Sequence, residues 1–189
     1  MTSMAELLEK KVKSNSIIKV GGAFDVMSAM LVEKHDFDAI WVGGFGVSAV
    51  RALPDASIIS MTEILDVSRN IANRCKIPVL VDCDTGYGGP SNVAYTVKKF
   101  EDAGIAGISI EDKHFPKQNS LFDDGKQDLI SEKDFAAKII SAKDAKKDPN
   151  FMIIARTEAL IANLGMNEAI RRANSYEKAG ADAIFIHSK

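Results

Sequence analysis

At 189 residues, 46% hydrophobic and 26% charged, the chain is long enough for one substantial core and has the composition of a soluble globular protein. A formal net charge of −2 leaves no basic footprint for nucleic acid or an anionic membrane. Cys75 and Cys83 show no CxxC spacing, no apolar run reaches a membrane span, and the opening MTSMAELLEKK lacks a signal-peptide core, so the chain reads as cytoplasmic and reducing.

A polar helix is expected over 3–13, followed by a first strand, IIKVGGA (17–23), a helix over 25–35 and a second strand, AIWVGG (39–44). GGFGVSAVRALPDAS (43–57) reads as a long glycine-rich loop with Asp55 near its end; its backbone N–H groups are candidates to meet an anion. The helix over 61–74 repeats Ile64, Leu65, Val67, Ser68 and Ile71 at helical spacing. Next come a strand, PVLVDCD (78–84), and TGYGGP (85–90), which fits a tight turn with proline at a helix start and not the Walker pattern. A helix over 91–103 leads to the strand GISIED (107–112). The segment EDKHFPKQNS (111–120) then opens a loop much longer than the usual strand-to-helix connection of 2–6 residues. The last elements are a helix over 131–145, with a solvated charged end KDAKKD (143–148), a strand FMIIART (151–157), a helix over 167–179 and a strand AIFIHSK (183–189).

The strands are apolar runs rather than alternating ones, as in a parallel sheet buried on both faces. Two helices end in the same way, EDAGIAGISI and EKAGADAIFI, with glycine at the cap before a strand. Six βα units in series imply a doubly wound sheet or a (β/α)8 barrel. Polar groups end at least four strands, namely Asp82 and Asp84, Glu111 and Asp112, Arg156 and Glu158, and His187, while the first strand lacks GxGxxG. That distribution favours a TIM-type barrel, whose site draws on several strand ends. A complete barrel takes about 250 residues, so residues 1–189 read as one partial barrel domain, truncated after the sixth strand.

Asp82 and Asp84, two apart on a strand, are expected on one face, where Glu111 of the next strand joins them. Crowded carboxylates with no His or Cys nearby suit a hard cation, Mg²⁺ or Mn²⁺; the alternative is one aspartate capping a turn and the others paired with lysines. Arg156, His187 and Lys117 suit a small polyanion at the same mouth, against an internal salt bridge of Arg156 with Glu158 or Glu111. Cys83, between the two acids, is expected on the opposite face as a packed, inert thiol.

IWVGGFGVSA, LPDAS, VDCDTGYGG, ISIEDKHFPKQNSL, IARTEALIANLG and AGADAIFIHSK together resemble the phosphoenolpyruvate mutase/isocitrate lyase superfamily, and its mutase branch most closely. The resemblance implies Mg²⁺ at Asp82, directly or through water, with Asp84 and Glu111 in support. It implies a carboxylate site at Trp41, Gly43 and Gly44, a phosphoryl site at Arg156 and His187, and Asp55 beside the reacting centre. It further implies that residues 113–120 form a gate whose Lys117, Asn119 and Ser120 reach inward, and that the full-length protein is a homo-oligomer. The implied reaction interconverts phosphoenolpyruvate and phosphonopyruvate. The carbon–carbon lyases of the superfamily carry a cysteine in this loop, where the present chain reads PKQNS. Phosphonopyruvate hydrolase tends to have threonine at the place of Asn119, whereas LPDASIISM is hydrolase-like and Gly43 stands where the mutase pattern has serine. Hydrolysis of phosphonopyruvate is the nearest alternative, and a non-catalytic fragment is the alternative of another class.

Overall fold

A computed structural model describes residues 2–14, 17–122 and 127–189. Six parallel strands pair in chain order: β1 (Val20–Ala23), β2 (Ala39–Val42), β3 (Val79–Asp82), β4 (Gly107–Glu111), β5 (Met152–Thr157) and β6 (Ala183–Ile186). The helices are α1 (Met4–Lys13), α2 (Val26–Lys34), α3 (Gly44–Ala49), α4 (Met61–Arg74), α5 (Pro90–Asp102), α6 (Glu132–Ala145) and α7 (Met166–Lys178). Every crossover between neighbouring strands carries helix, which is the βα repeat of a TIM-type barrel. The sheet curls far enough for Trp41 of β2 and Phe185 of β6 to meet edge to face, with ring centroids 5.9 Å apart. The fold is therefore an open, incomplete TIM-type barrel of six strands.

Alternation along the strands sorts side chains into two layers. Ile40, Val42, Val79, Val81, Ile108, Ile110, Ile153 and Ala155 face the helices, where Ile71, Phe100, Phe135 and Tyr176 cover them. Ala39, Leu80, Met152 and Ile154 face the lumen, and Leu8 of α1 packs fully buried against them. The amphipathic α1 thereby seals the N-terminal floor of the barrel; Ser3 caps it by accepting from the Glu6 N–H.

The sequence reading needs two local corrections. Residues 44–49 form α3 instead of open loop. Glycines are poor helix formers, but a Cβ at Gly46 would lie 2.9 Å from Phe24, so only glycine permits that approach, and Val47 buries completely behind it. Asp84 does not extend β3: the strand ends at Asp82, and the chain turns through Asp84 with φ of 50°. The 85–90 segment is the expected tight turn, with Pro90 opening α5.

Candidate active site

The lumen-facing positions carry Trp41 on β2, Asp82 at the end of β3, Glu111 at the end of β4, Arg156 on β5 and His187 just beyond β6. All but Glu111 line a cavity of about 240 Å³, with Gly43, Gly44, Asp55, Lys117, Asn119 and Ser120 also on its wall. Glu111 and Asp84 stand behind that wall. This volume is below the usual range for drug-sized ligands and suits a substrate of a few heavy atoms.

Arg156 is the central cation. Its Nε bonds Glu158 and lies 3.4 Å from Glu111, its Nη1 lies 3.4 Å from Asp82, and its guanidinium stacks 5.2 Å above the Phe185 ring. His187 Nδ1 is 2.8 Å from both Arg156 Nη2 and Glu158 Oε1. A proton on Nδ1 goes to the carboxylate; a lone pair there accepts from the guanidinium.

The long loop closes the other side. Its base is pinned by an antiparallel bridge between Lys113 and Leu129. From there the Lys117 ammonium reaches Asp55 at 3.0 Å and Asp84 at 2.8 Å, and the Lys117 N–H donates to Ser57 Oγ. Asn119 Nδ2 donates to Asp55 Oδ2 at 3.0 Å, so one carboxylate receives two loop side chains. Gly44 leaves the space between the acids open, because a Cβ there would come within 3.3 Å of Asp84 Oδ1. Ser120 lines the cavity, but its hydroxyl is committed to Glu158 at 2.7 Å.

The electrostatics follow from burial. Desolvation pushes the Glu111 carboxyl up to about 8, against the pull of Arg156 and Lys117. Desolvation also raises Asp84 to about 6, with Lys117 opposing and Asp82 assisting. Burial alone would lower Lys117 and Arg156, yet the surrounding carboxylates hold both well above their ordinary values. Glu158 goes the other way: burial would raise it, but His187, Arg156, Ser120 and Lys113 keep it far below the carboxylate range. Cys83 is fully buried on the helix side, and burial followed by its acidic neighbours pushes its thiol well up, as fits an inert packed sulfur.

The three expected metal carboxylates are not gathered at one point. Among the described residues no group of three Asp, Glu, His or Cys side chains is disposed to hold an ion. Arg156 stands between Asp82 and Glu111, and Lys117 is beside Asp84. Both Glu111 oxygens, however, are buried without a hydrogen-bond donor, and Asp84 Oδ1 lacks one of good geometry although Lys117 is 2.8 Å away. Orphaned carboxylate oxygens behind a wall-lining Asp82 fit a hydrated Mg²⁺, which is commonly held by one or two carboxylates and keeps several waters. Asp82 would hold the ion, directly or through water, with Glu111 and Asp84 in support.

Sequence reasoning missed the residues beneath the wall. Glu158 and Asp112 entered as polar strand-end groups without a site role, Glu158 also as a rival partner for Arg156, and Lys113 only as the first residue of the loop. Asp112, fully buried, accepts from the Thr157 hydroxyl, Arg172 and Tyr176 and from the Glu158 N–H. Lys138 of α6 donates to the Thr85 carbonyl behind the Asp84 turn. A buried lysine or aspartate following a strand end was the available signal, but Ser120 lies 38 positions from Glu158 and Tyr176 lies 64 from Asp112.

The phosphoenolpyruvate phosphomutase family model matches residues 9–189. The chain belongs to that family. It superimposes on the crystal structure of phosphoenolpyruvate phosphomutase from Streptomyces platensis subsp. rosaceus with a TM-score of 0.96 and 46% identity, covering 98% of this chain and 64% of that one. It is 45% identical to the phosphonopyruvate hydrolase of Variovorax sp. (strain Pal2), over 97% of this chain and 63% of the relative. A crystal structure of phosphonopyruvate hydrolase with oxalate and Mg²⁺ matches with a TM-score of 0.92 and 42% identity, covering 99% of this chain and 64% of that one. The chain thus spans less than two thirds of each of these proteins.

Proposed function

We propose that the protein is a Mg²⁺-dependent phosphoenolpyruvate mutase, an isomerase that interconverts phosphoenolpyruvate and phosphonopyruvate in phosphonate biosynthesis. In the direction of synthesis the O–P bond of the enol phosphate breaks, a P–C bond forms at the methylene carbon, and the enol oxygen becomes a ketone. No atom is gained or lost, so water must be kept out. The observation that carries the reading is the seating of Lys117 and Asn119 on Asp55, which roofs a small cavity with amide and ammonium donors.

Arg156 and His187 hold the phosphoryl oxygens, and Asn119 contacts the group in transit. Gly43, Gly44 and Trp41 line the end taken by the substrate carboxylate. Asp55 stands beside the reacting centre as nucleophile or as orienting group. When bound at Asp82, the metal supplies Lewis-acid charge for the carboxylate and enolate oxygens. Fixed cationic groups in a site closed to water stabilise transferring charge more strongly than the same groups in solution. The cysteine expected of a carbon–carbon lyase is missing from the loop: Cys75 and Cys83 are both buried elsewhere. The protein is taken to be cytoplasmic and, in its full chain, a homo-oligomer; among the described residues no helix is long and apolar enough to cross a membrane.

A second reading, hydrolysis of phosphonopyruvate to pyruvate and phosphate, is favoured by the 45% identity to the Variovorax enzyme. A coupled assay separates them. The full chain with Mg²⁺ and phosphonopyruvate should yield pyruvate only when pyruvate kinase and ADP are added to consume phosphoenolpyruvate, and chelation should stop the reaction. Pyruvate released without the kinase would replace the mutase by the hydrolase.

A further inference from the structure

The loop meets Asp55 with one side, and with the other it is fastened to residues that the proposed reaction leaves without a role. Lys113 is 2% exposed, and its ammonium donates to the Gln118 carbonyl at 2.9 Å and to Ser120 Oγ at 2.6 Å. The Ser120 hydroxyl donates in turn to Glu158 Oε2 at 2.7 Å, and Lys113 Nζ lies 3.5 Å from the same oxygen. The other oxygen, Glu158 Oε1, takes Arg156 Nε and lies 2.8 Å from His187 Nδ1. A single carboxylate therefore has the loop on one oxygen and the candidate phosphoryl-binding groups on the other.

Glu158 cannot follow the loop outward. It is fully buried, and its N–H is bonded to Asp112, which Thr157, Arg172 and Tyr176 fix in turn. Buried charges are tolerated only while their donors and acceptors are met. If the loop lifts, Lys113 loses Gln118 and Ser120, and Glu158 Oε2 loses its hydroxyl donor. The seated loop is thus favoured by the same charges that fix Arg156.

We propose that Lys113, Ser120 and Glu158 form a latch that couples the seating of residues 113–122 to the placement of Arg156 and His187. Lys113 and Glu158 are positioning residues: neither lines the cavity, and each acts through the loop or through Arg156. The phosphoryl role of Arg156 and His187 rests on the proposed function; the fastening of the loop does not.

The test is hydrogen–deuterium exchange of the full chain without substrate, read on peptides covering 114–122 and on control peptides from β3 and α5. Lys113→Met and Glu158→Gln should each accelerate exchange in 114–122 by about tenfold or more, and in Lys113→Met the β3 and α5 controls should stay unmoved. Lys113→Arg should recover part of the protection. On phosphonopyruvate, Lys113→Met should raise KM about tenfold and change kcat less than about threefold, a split that general unfolding does not produce. Loop exchange within about threefold of wild type in a folded Lys113→Met or Glu158→Gln protein overturns the latch. Should those variants fail to fold, Ser120→Ala removes only the bridging hydroxyl and must still loosen 114–122. Faster loop exchange in a protein that shows no turnover of phosphonopyruvate upholds the fastening of the loop and overturns the substrate instead.

Discussion

At the N-terminal end of the strands, Leu8, Ala39, Leu80, Ala106, Met152 and Ile154 meet as hydrocarbon. At the C-terminal end of the same strands, the buried Asp82 and Glu111 meet the partly buried Arg156, joined by the buried Lys113, Lys117 and Glu158. The floor is held by area removed from water, which depends on volume and little on direction. The mouth is held by pairing, and each charge there is tolerable only while its partners remain. One end of the barrel thus carries stability that tolerates conservative change, and the other carries a constellation in which single deletions propagate.

That contrast can be broken in order of effect. Asp55→Ala should lower turnover of phosphonopyruvate by about 10³-fold, as expected for a group beside the transferring charge; full activity in steady-state kinetics would remove Asp55 from the reaction. Glu158→Gln leaves Arg156 and Lys113 short of a counter-charge and should cost about 3 to 5 kcal/mol of stability by chemical denaturation. Its pH dependence has a definite sign. The folded carboxyl lies below its ordinary value of 4.5, so its contribution is present at neutral pH and is lost as pH falls from about 4.5 toward the folded value. The gap in melting temperature between wild type and Glu158→Gln should therefore be widest at pH 7 and shrink below about pH 4.5; a constant gap would mean that the side chain acts by packing alone. Leu8→Ala should cost about 3 kcal/mol with kcat unchanged, because it opens a cavity in the floor far from the mouth. Lys147→Met, which breaks an exposed pair with Asp102 on the surface, should leave both melting temperature and kcat as in wild type.

The layers were legible in the sequence because they rest on local signals, whereas α1, read only as a polar helix, buries Leu8 against the floor. Strands buried on both faces read as apolar runs, and the capping residues Ser3 and Ser60 stand where α1 and α4 begin. The site was legible as a set of residue types at strand ends, but not as a geometry. Strand alternation placed Asp84 beside Asp82, and the turn at φ of 50° puts it against Lys117 instead. Helix α3 was hidden because glycines usually break helices; the reason Gly46 is tolerated is Phe24, twenty-two positions earlier. The link from Ser120 to Glu158 spans 38 positions, and no local pattern announces it.

The most direct test of the functional claim is phosphorus NMR of the full chain with Mg²⁺ and phosphonopyruvate. The account predicts that the phosphonate signal gives way to phosphoenolpyruvate, with no inorganic phosphate growing in at a comparable rate. Inorganic phosphate formed together with pyruvate, and no phosphoenolpyruvate, would contradict it: the loop over Asp55 would then be admitting water to the phosphoryl group.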